Sequence, residues 1–123
     1  MDKKRILVIE DEAELVKAVE IRLKSANYEV LVAYDGQEGL EKVKKENPDL
    51  IILDLMLPKV DGFKVCRALK FDDKYKHIPI ILFTARAQEN DKKLGKDVKA
   101  DAYITKPFDH EALLDKIKEL IQK

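Results

Sequence analysis

Asp54 closes the most apolar stretch of the chain, Leu50-Ile51-Ile52-Leu53-Asp54-Leu55-Met56-Leu57-Pro58. Glu10 and Asp11 close the run Arg5 to Ile9, Thr84 closes Pro79 to Thr84, and Lys106 follows Ala102 to Thr105. A carboxylate within an apolar run is expensive if buried, so the cheaper place for Asp54 is the carboxyl end of a strand, where open α/β sheets put their ligands. If these strands are parallel, their ends share one sheet edge. Three carboxylates, a hydroxyl and an ammonium then converge in one crevice. Three adjacent carboxylates repel one another and do not all stay ionised without a cation. Oxygen-only ligation by a few acids, with positions left open, suits Mg2+, which keeps several waters and favours a phosphate oxygen. Lys106 can neutralise an acid or a phosphoryl group, and a carboxylate beside a metal is a competent nucleophile toward phosphorus.

Each residue alone has a plainer reading. The acids at 10–12 favour a helix N-terminus. Asp54 suits a turn or cap before Pro58, Thr84 a strand end, and Lys106 a solvated surface. Only their joint placement on one edge argues for chemistry.

The elements that must position them follow from period and punctuation. Arg5–Ile9 reads as a first strand. Leu15, Val19, Leu23 and Ala26 then lie on one helical stripe, and Asn27 suits a left-handed cap. Tyr28–Ala33 gives a second strand. Asp35 and Glu38 have capping-box spacing for a helix that Pro48 stops. The Asp54 stretch, about 49–54, is the third strand, apolar enough to be buried on both faces. Val60-Asp61-Gly62 makes a turn before a third helix carrying Phe63, Val65, Cys66 and Leu69. Pro79–Thr84 is a fourth strand. Residues 88–97 suggest a fourth helix lightly anchored by Leu94. Ala102–Thr105 is a fifth strand, and Asp109 caps a fifth helix with Leu113, Leu114, Ile117, Leu120 and Ile121 in helical period. Strands alternating with helices imply one α/β domain over 1–123, a doubly wound parallel sheet covered on both faces.

Composition narrows the function classes. The 24 basic and 24 acidic residues balance, which favours neither nucleic acid nor a membrane surface. Cys66 is the one cysteine, which excludes an intrachain disulfide. No apolar run approaches the roughly 20 residues of a membrane helix, and no signal-peptide pattern opens the chain. A cytoplasmic protein is expected. His77 and His110 are not at ligand-like spacing and read as loop or helix-surface residues, Cys66 as core.

The chain resembles the response-regulator receiver domain, the phosphoacceptor half of two-component signalling. The matching pieces are Ile6-Leu7-Val8-Ile9-Glu10-Asp11-Glu12, the run Pro48 to Pro58, Asp61-Gly62, Leu82-Phe83-Thr84-Ala85 and Asp101-Ala102-Tyr103-Ile104-Thr105-Lys106-Pro107-Phe108. The resemblance implies a (βα)5 fold with flavodoxin-like strand order 2-1-3-4-5. It implies that Asp54 is phosphorylated and that Thr84 and Lys106 bind the phosphoryl oxygens. Mg2+ would be held by Glu10, Asp11, Asp54 and the backbone carbonyl of Met56, with Asp11 the more direct ligand and Glu10 acting through water. Thr84 and Tyr103 would form a switch read out on the face of the fourth helix, fifth strand and fifth helix. A cis Lys106-Pro107 bond is also implied. The phosphodonor would be a histidine kinase or phosphotransfer protein, and the output a downstream target or a fused output domain, without direct nucleic-acid or membrane contact. A phosphorylation-dependent homodimer stays open, although Ala102 replaces an acid of the salt-bridge network in one such dimer. Lys99 stands where glycine is frequent.

On this reading the chain is no enzyme toward an external substrate; it assists only its own phosphorylation and slow dephosphorylation. The Met56 thioether is a poor partner for orienting an attacking water, which favours a persistent phosphoryl group. An aspartate-nucleophile phosphatase would want an acid at Met56. A flavodoxin would want small hydroxyl residues and glycine where Glu10-Asp11-Glu12 stand. A receiver-like interaction module that is never phosphorylated is the remaining alternative.

Overall fold

Branched apolar residues in runs of four or five make strands here because both faces of the sheet are covered. The computed structural model describes residues 3–84 and 99–122. Within them the elements are β1 (Arg5–Ile9), α1 (Ala13–Ser25), β2 (Glu29–Ala33), α2 (Gly36–Glu46), β3 (Leu50–Asp54), α3 (Gly62–Lys70), β4 (Ile80–Thr84), β5 (Ala102–Thr105) and α4 (His110–Ile121). The helix expected over 88–97 lies outside the described residues, so α4 is the helix anticipated as the fifth. The strands pair in parallel in the order β2-β1-β3-β4-β5. The α/β doubly wound sheet and its flavodoxin-like order are therefore as expected.

Alternation along the strands divides the core into two layers. Leu7, Ile9, Ile51, Leu53, Ile80 and Leu82 face Val43 of α2 and Val65, Cys66 and Leu69 of α3. Ile6, Val8, Leu50, Ile52, Ile81 and Phe83 face Val19 and Leu23 of α1 and Leu113 and Ile117 of α4. Each fully buried aliphatic side chain contributes about 1.5–3 kcal/mol. The inner strands β3 and β4 are buried throughout, whereas the edge strands β2 and β5 are mostly half-buried.

Helix ends follow local chemistry. Asp35, Asp61 and Asp109 each cap a helix, accepting from the N–H of Glu38 (2.8 Å), Lys64 (3.0 Å) and Glu111 (3.0 Å). The Glu38 carboxylate reaches back to the N–H of Tyr34, one residue beyond the usual capping-box donor. Asn27 is left-handed at φ 72°, as expected. Ala26 is not on the buried stripe of α1: the helix ends at Ser25, leaving Ala26 an exposed cap, and Val16 takes the inner position. Tyr28 precedes β2 rather than opening it.

The far edge of the sheet holds an ion pair that the sequence reading passed over. The Lys70 ammonium, nearly buried, donates to the carbonyls of Lys76 (2.9 Å) and Ile78 (3.0 Å) and to Asp101 Oδ2 (2.8 Å). Asp101 Oδ2 also accepts the N–H of Ile80 at 2.7 Å. One carboxylate thus ties the end of α3 to the starts of β4 and β5. Lys99, left-handed at φ 63°, lays its ammonium over the Phe71 ring at 4.7 Å.

Candidate functional site

The site lies where the winding of the sheet reverses. β1 pairs with β2 on one side and β3 on the other, and this opens a crevice beyond their carboxyl ends. Glu10 and Asp11 follow β1, and Asp54 ends β3. One carboxylate oxygen from each lies within 4.8 Å of the others. Glu10 is fully buried, Asp54 is 4% exposed, and Asp11 is exposed.

Lys106 enters from β5. Its Nζ is 2.8 Å from Glu10 Oε1, 3.4 Å from Asp54 Oδ1 and 3.7 Å from Glu12 Oε1. It also stands 6.0 Å from the centre of the Phe83 ring, which packs against Phe108 at 4.8 Å. The Lys106 N–H donates to the Thr84 carbonyl at 2.6 Å, and the Lys106-Pro107 bond is cis, as the resemblance implied.

Charge is concentrated here. Burial is the largest influence on Glu10 and pushes its carboxyl up; the Lys106 hydrogen bond opposes this, the Asp54 charge adds to it, and the result is about 7. Burial is also the largest influence on Lys106 and lowers its affinity for a proton. The Glu10 hydrogen bond and the charges of Asp54 and Glu10 together outweigh it, so the ammonium is held above its ordinary range. The raised Glu10 carboxyl thus reflects first its burial and only secondarily the neighbouring Asp54 charge.

The loop after β3 is pressed against Asp54. Gly62 opens α3 so close that a Cβ there would stand 2.3 Å from the Asp54 carbonyl oxygen and 2.7 Å from Leu55 Cα. A Cβ on Gly36 would stand 2.0 Å from the Val60 carbonyl oxygen. These glycines serve close backbone approach. Within the loop, the Met56 N–H points to Asp54 Oδ1 at 3.4 Å while its side chain is 78% exposed. The Glu12 N–H donates to Glu10 Oε2 at 3.2 Å.

Thr84 and Tyr103 belong to the neighbouring pair of strands. Thr84 is buried at the end of β4, opposite Thr105, and Tyr103 is half-buried opposite Leu82. Tyr103 packs against the layer containing Leu82, and strand alternation assigns Thr84 to that same face. Glu10, Asp11, Asp54 and Lys106 are thus brought together by their side-chain distances, and Thr84 and Tyr103 by register. The sequence reading missed Glu12 as a neighbour of Lys106, Phe83 as the ring near its ammonium, and the reason for Gly62. Asp61-Gly62 was visible as a turn, but nothing in the dipeptide tells that its glycine touches Asp54.

Comparison with known proteins agrees with this fold. The response regulator receiver domain family matches residues 6–118. The DNA-binding dual master transcriptional regulator RpaA of Synechocystis is 45% identical over 119 residues, covering 97% of this chain and 49% of the relative. The response regulator ArlR of Staphylococcus saprophyticus is 43% identical over 119 residues, 97% of this chain and 53% of the relative. This chain spans about half the length of these curated relatives. The crystal structure of the receiver domain of sensor histidine kinase PA1611 from Pseudomonas aeruginosa, with a magnesium ion coordinated in its active-site cleft, superimposes with a TM-score of 0.91 at 26% identity. That match covers 99% of this chain and 100% of the other. A family match over nearly the whole chain, on this fold, makes the protein a member of the response-regulator receiver family.

Proposed function

We propose that residues 1–123 form one receiver domain that works as a phosphorylation-controlled switch, with Asp54 the phosphoacceptor. The observation that carries this reading is the placement of Lys106 Nζ between Glu10 and Asp54, at 2.8 and 3.4 Å, beside three clustered carboxylates. The Asp54 carboxylate attacks the phosphorus of a phosphohistidine. The new bond is from oxygen to phosphorus, the nitrogen–phosphorus bond breaks, and the imidazole leaves with that electron pair. Lys106 and Thr84 hold the phosphoryl oxygens, and water later cleaves the acyl phosphate slowly.

The donor set fits a hard divalent cation: three carboxylates with oxygens within 4.8 Å, one of them buried and drawn toward protonation. Glu10, Asp11, Asp54 and the Met56 carbonyl would hold Mg2+, which when bound would supply charge neutralisation at the transferring phosphoryl group. Because Glu10 is buried against Lys106 and Asp11 is exposed, Asp11 would be the direct ligand and Glu10 would act through water.

The readout couples Thr84 to Tyr103. Drawing the Thr84 hydroxyl toward a phosphoryl oxygen vacates space on the face it shares with Tyr103. A tyrosine ring can fill that space while its hydroxyl still finds a partner. The phosphoryl group shifts the population by its differential contacts with Thr84 and Lys106. The signal leaves through β5, α4 and the segment before β5. The phosphodonor is a histidine kinase or phosphotransfer protein in the cytoplasm. The output is a target protein or a fused domain, in keeping with relatives about twice as long. Among the described residues no helix is long and apolar enough to cross a membrane.

Chemical shifts with Mg2+ and beryllofluoride, a stand-in for the phosphoryl group, test the switch. Changes should run from Asp54 through Thr84 and Tyr103 into residues 88–97 and α4. Changes confined to the crevice would leave the phosphorylation chemistry and remove the relay.

A further inference from the structure

We propose that Met56 is an oxidation site through which peroxide shortens the lifetime of the phosphorylated state. The proposal rests on the phosphoacceptor reading of Asp54 and concerns the regulation of that site. Among the described residues Met56 is the most exposed large apolar side chain, at 78%. Its exposure does not come from an unanchored loop. The Gly62 N–H holds the Leu55 carbonyl at 3.0 Å, the Gly36 N–H holds that of Pro58 at 3.4 Å, and Lys59 pairs with Asp35 at 3.5 Å. A thioether is thus presented to solvent two residues from the reacting carboxylate.

Among the described residues no other methionine and no accessible thiol competes for peroxide. The chain's one thiol, Cys66, is fully buried, and burial pushes it up to about 12, so no thiolate competes. The other methionine is Met1. Reaction with a peroxide forms a sulfur–oxygen bond and breaks the oxygen–oxygen bond. The sulfur is oxidised by two electrons and the second peroxide oxygen leaves as water or alcohol. The product is a sulfoxide, whose oxygen is a strong hydrogen-bond acceptor where the thioether sulfur was a weak one.

Position gives that change its consequence. The Met56 N–H is 3.4 Å from Asp54 Oδ1, so this unbranched side chain starts beside the carboxylate and has three rotatable bonds. The sulfoxide oxygen accepts a hydrogen bond from water approaching the phosphorus and orients it for in-line attack. One added hydrogen bond in the transition state corresponds to about a two- to tenfold faster hydrolysis. A thiol-dependent methionine sulfoxide reductase restores the thioether, which makes the effect reversible.

The full chain is treated with hydrogen peroxide, phosphorylated with acetyl phosphate and Mg2+, desalted and followed by intact mass, with peptide mapping to locate the added oxygen. Oxygen at Met56, a two- to tenfold shorter phosphoryl lifetime, and recovery after reductase treatment are expected. The Met56→Leu chain, whatever its own lifetime, should show the same lifetime before and after peroxide. An unchanged lifetime with Met56 fully oxidised, failure of Met56 to oxidise, or equal shortening in Met56→Leu would overturn the proposal alone. An untreated chain that takes up no phosphoryl group would overturn the phosphoacceptor reading and this proposal with it.

Discussion

Lys106 is hydrogen-bonded to Glu10 at 2.8 Å, while Asp54, the proposed acceptor, stands 3.4 Å from the same ammonium. At rest the lysine is committed first to Glu10 rather than to the proposed acceptor. It can therefore turn toward a new anion on Asp54 without leaving an unpaired ammonium.

Removing that ammonium should leave Glu10 and Asp54 facing each other without compensation. Lys106→Met is expected to cost about 2–4 kcal/mol of stability at pH 8, measured by urea denaturation, because breaking one side of a buried pair strands the other. Mg2+ should recover more stability in the variant than it adds to the unmutated chain. A loss below about 0.5 kcal/mol, the range of ordinary surface substitutions, would show that the pair is merely a surface contact.

The Glu10 carboxyl carries a pH signature. Its value is 4.5 when unperturbed and about 7 in the fold. Between these the folded chain holds a proton that the unfolded chain has released. Its contribution to stability is thus present below 4.5 and lost as pH rises through 7. Without Mg2+, the stability of the unmutated chain minus that of Glu10→Gln should fall by about 2–3 kcal/mol from pH 4.5 to 8. The raised Lys106 group titrates above its ordinary 10.5, outside this window. A difference that rises with pH would reverse the sign of the argument.

Gly62→Ala should displace the backbone beside Asp54, because its Cβ meets the Asp54 carbonyl oxygen at 2.3 Å. The expected loss is about 1–3 kcal/mol, as for other overpacked sites, with weakened Mg2+ binding by NMR titration. Wild-type stability and affinity together in the variant would contradict the close approach.

Lys70→Ala strands two carbonyls and Asp101 at the opposite edge of the sheet. A loss of about 3–5 kcal/mol is expected. Mg2+ should add no more stability to it than to the unmutated chain, in contrast to Lys106→Met. Extra rescue by the ion would mean that the two edges are coupled.

The fold was legible because each described strand is a short apolar run, each described helix has a period, and three of those helices open on a capping aspartate. Asp35, Asp109 and Asn27 mark helix boundaries through side-chain chemistry that acts within a few residues. The site was legible for a related reason: parallel strands put their carboxyl ends on one edge, so Glu10, Asp11, Asp54 and Lys106 had to meet. What escaped depends on contacts between distant segments. Gly62 touches Asp54, and Lys70 finds Asp101 31 residues away. Lys70 did leave a trace, since it stands four residues after buried Cys66 on the inner stripe of α3. Ala26 misled because an apolar residue at a helix end continues the pattern after the helix has stopped.

Intact mass after exposure to acetyl phosphate with Mg2+ tests the central claim most directly. The chain should gain one phosphoryl group, mapped to Asp54, and Asp54→Asn should gain none under the same conditions. Full labelling of Asp54→Asn, or no labelling of the unmutated chain, would contradict Asp54 as the phosphoacceptor.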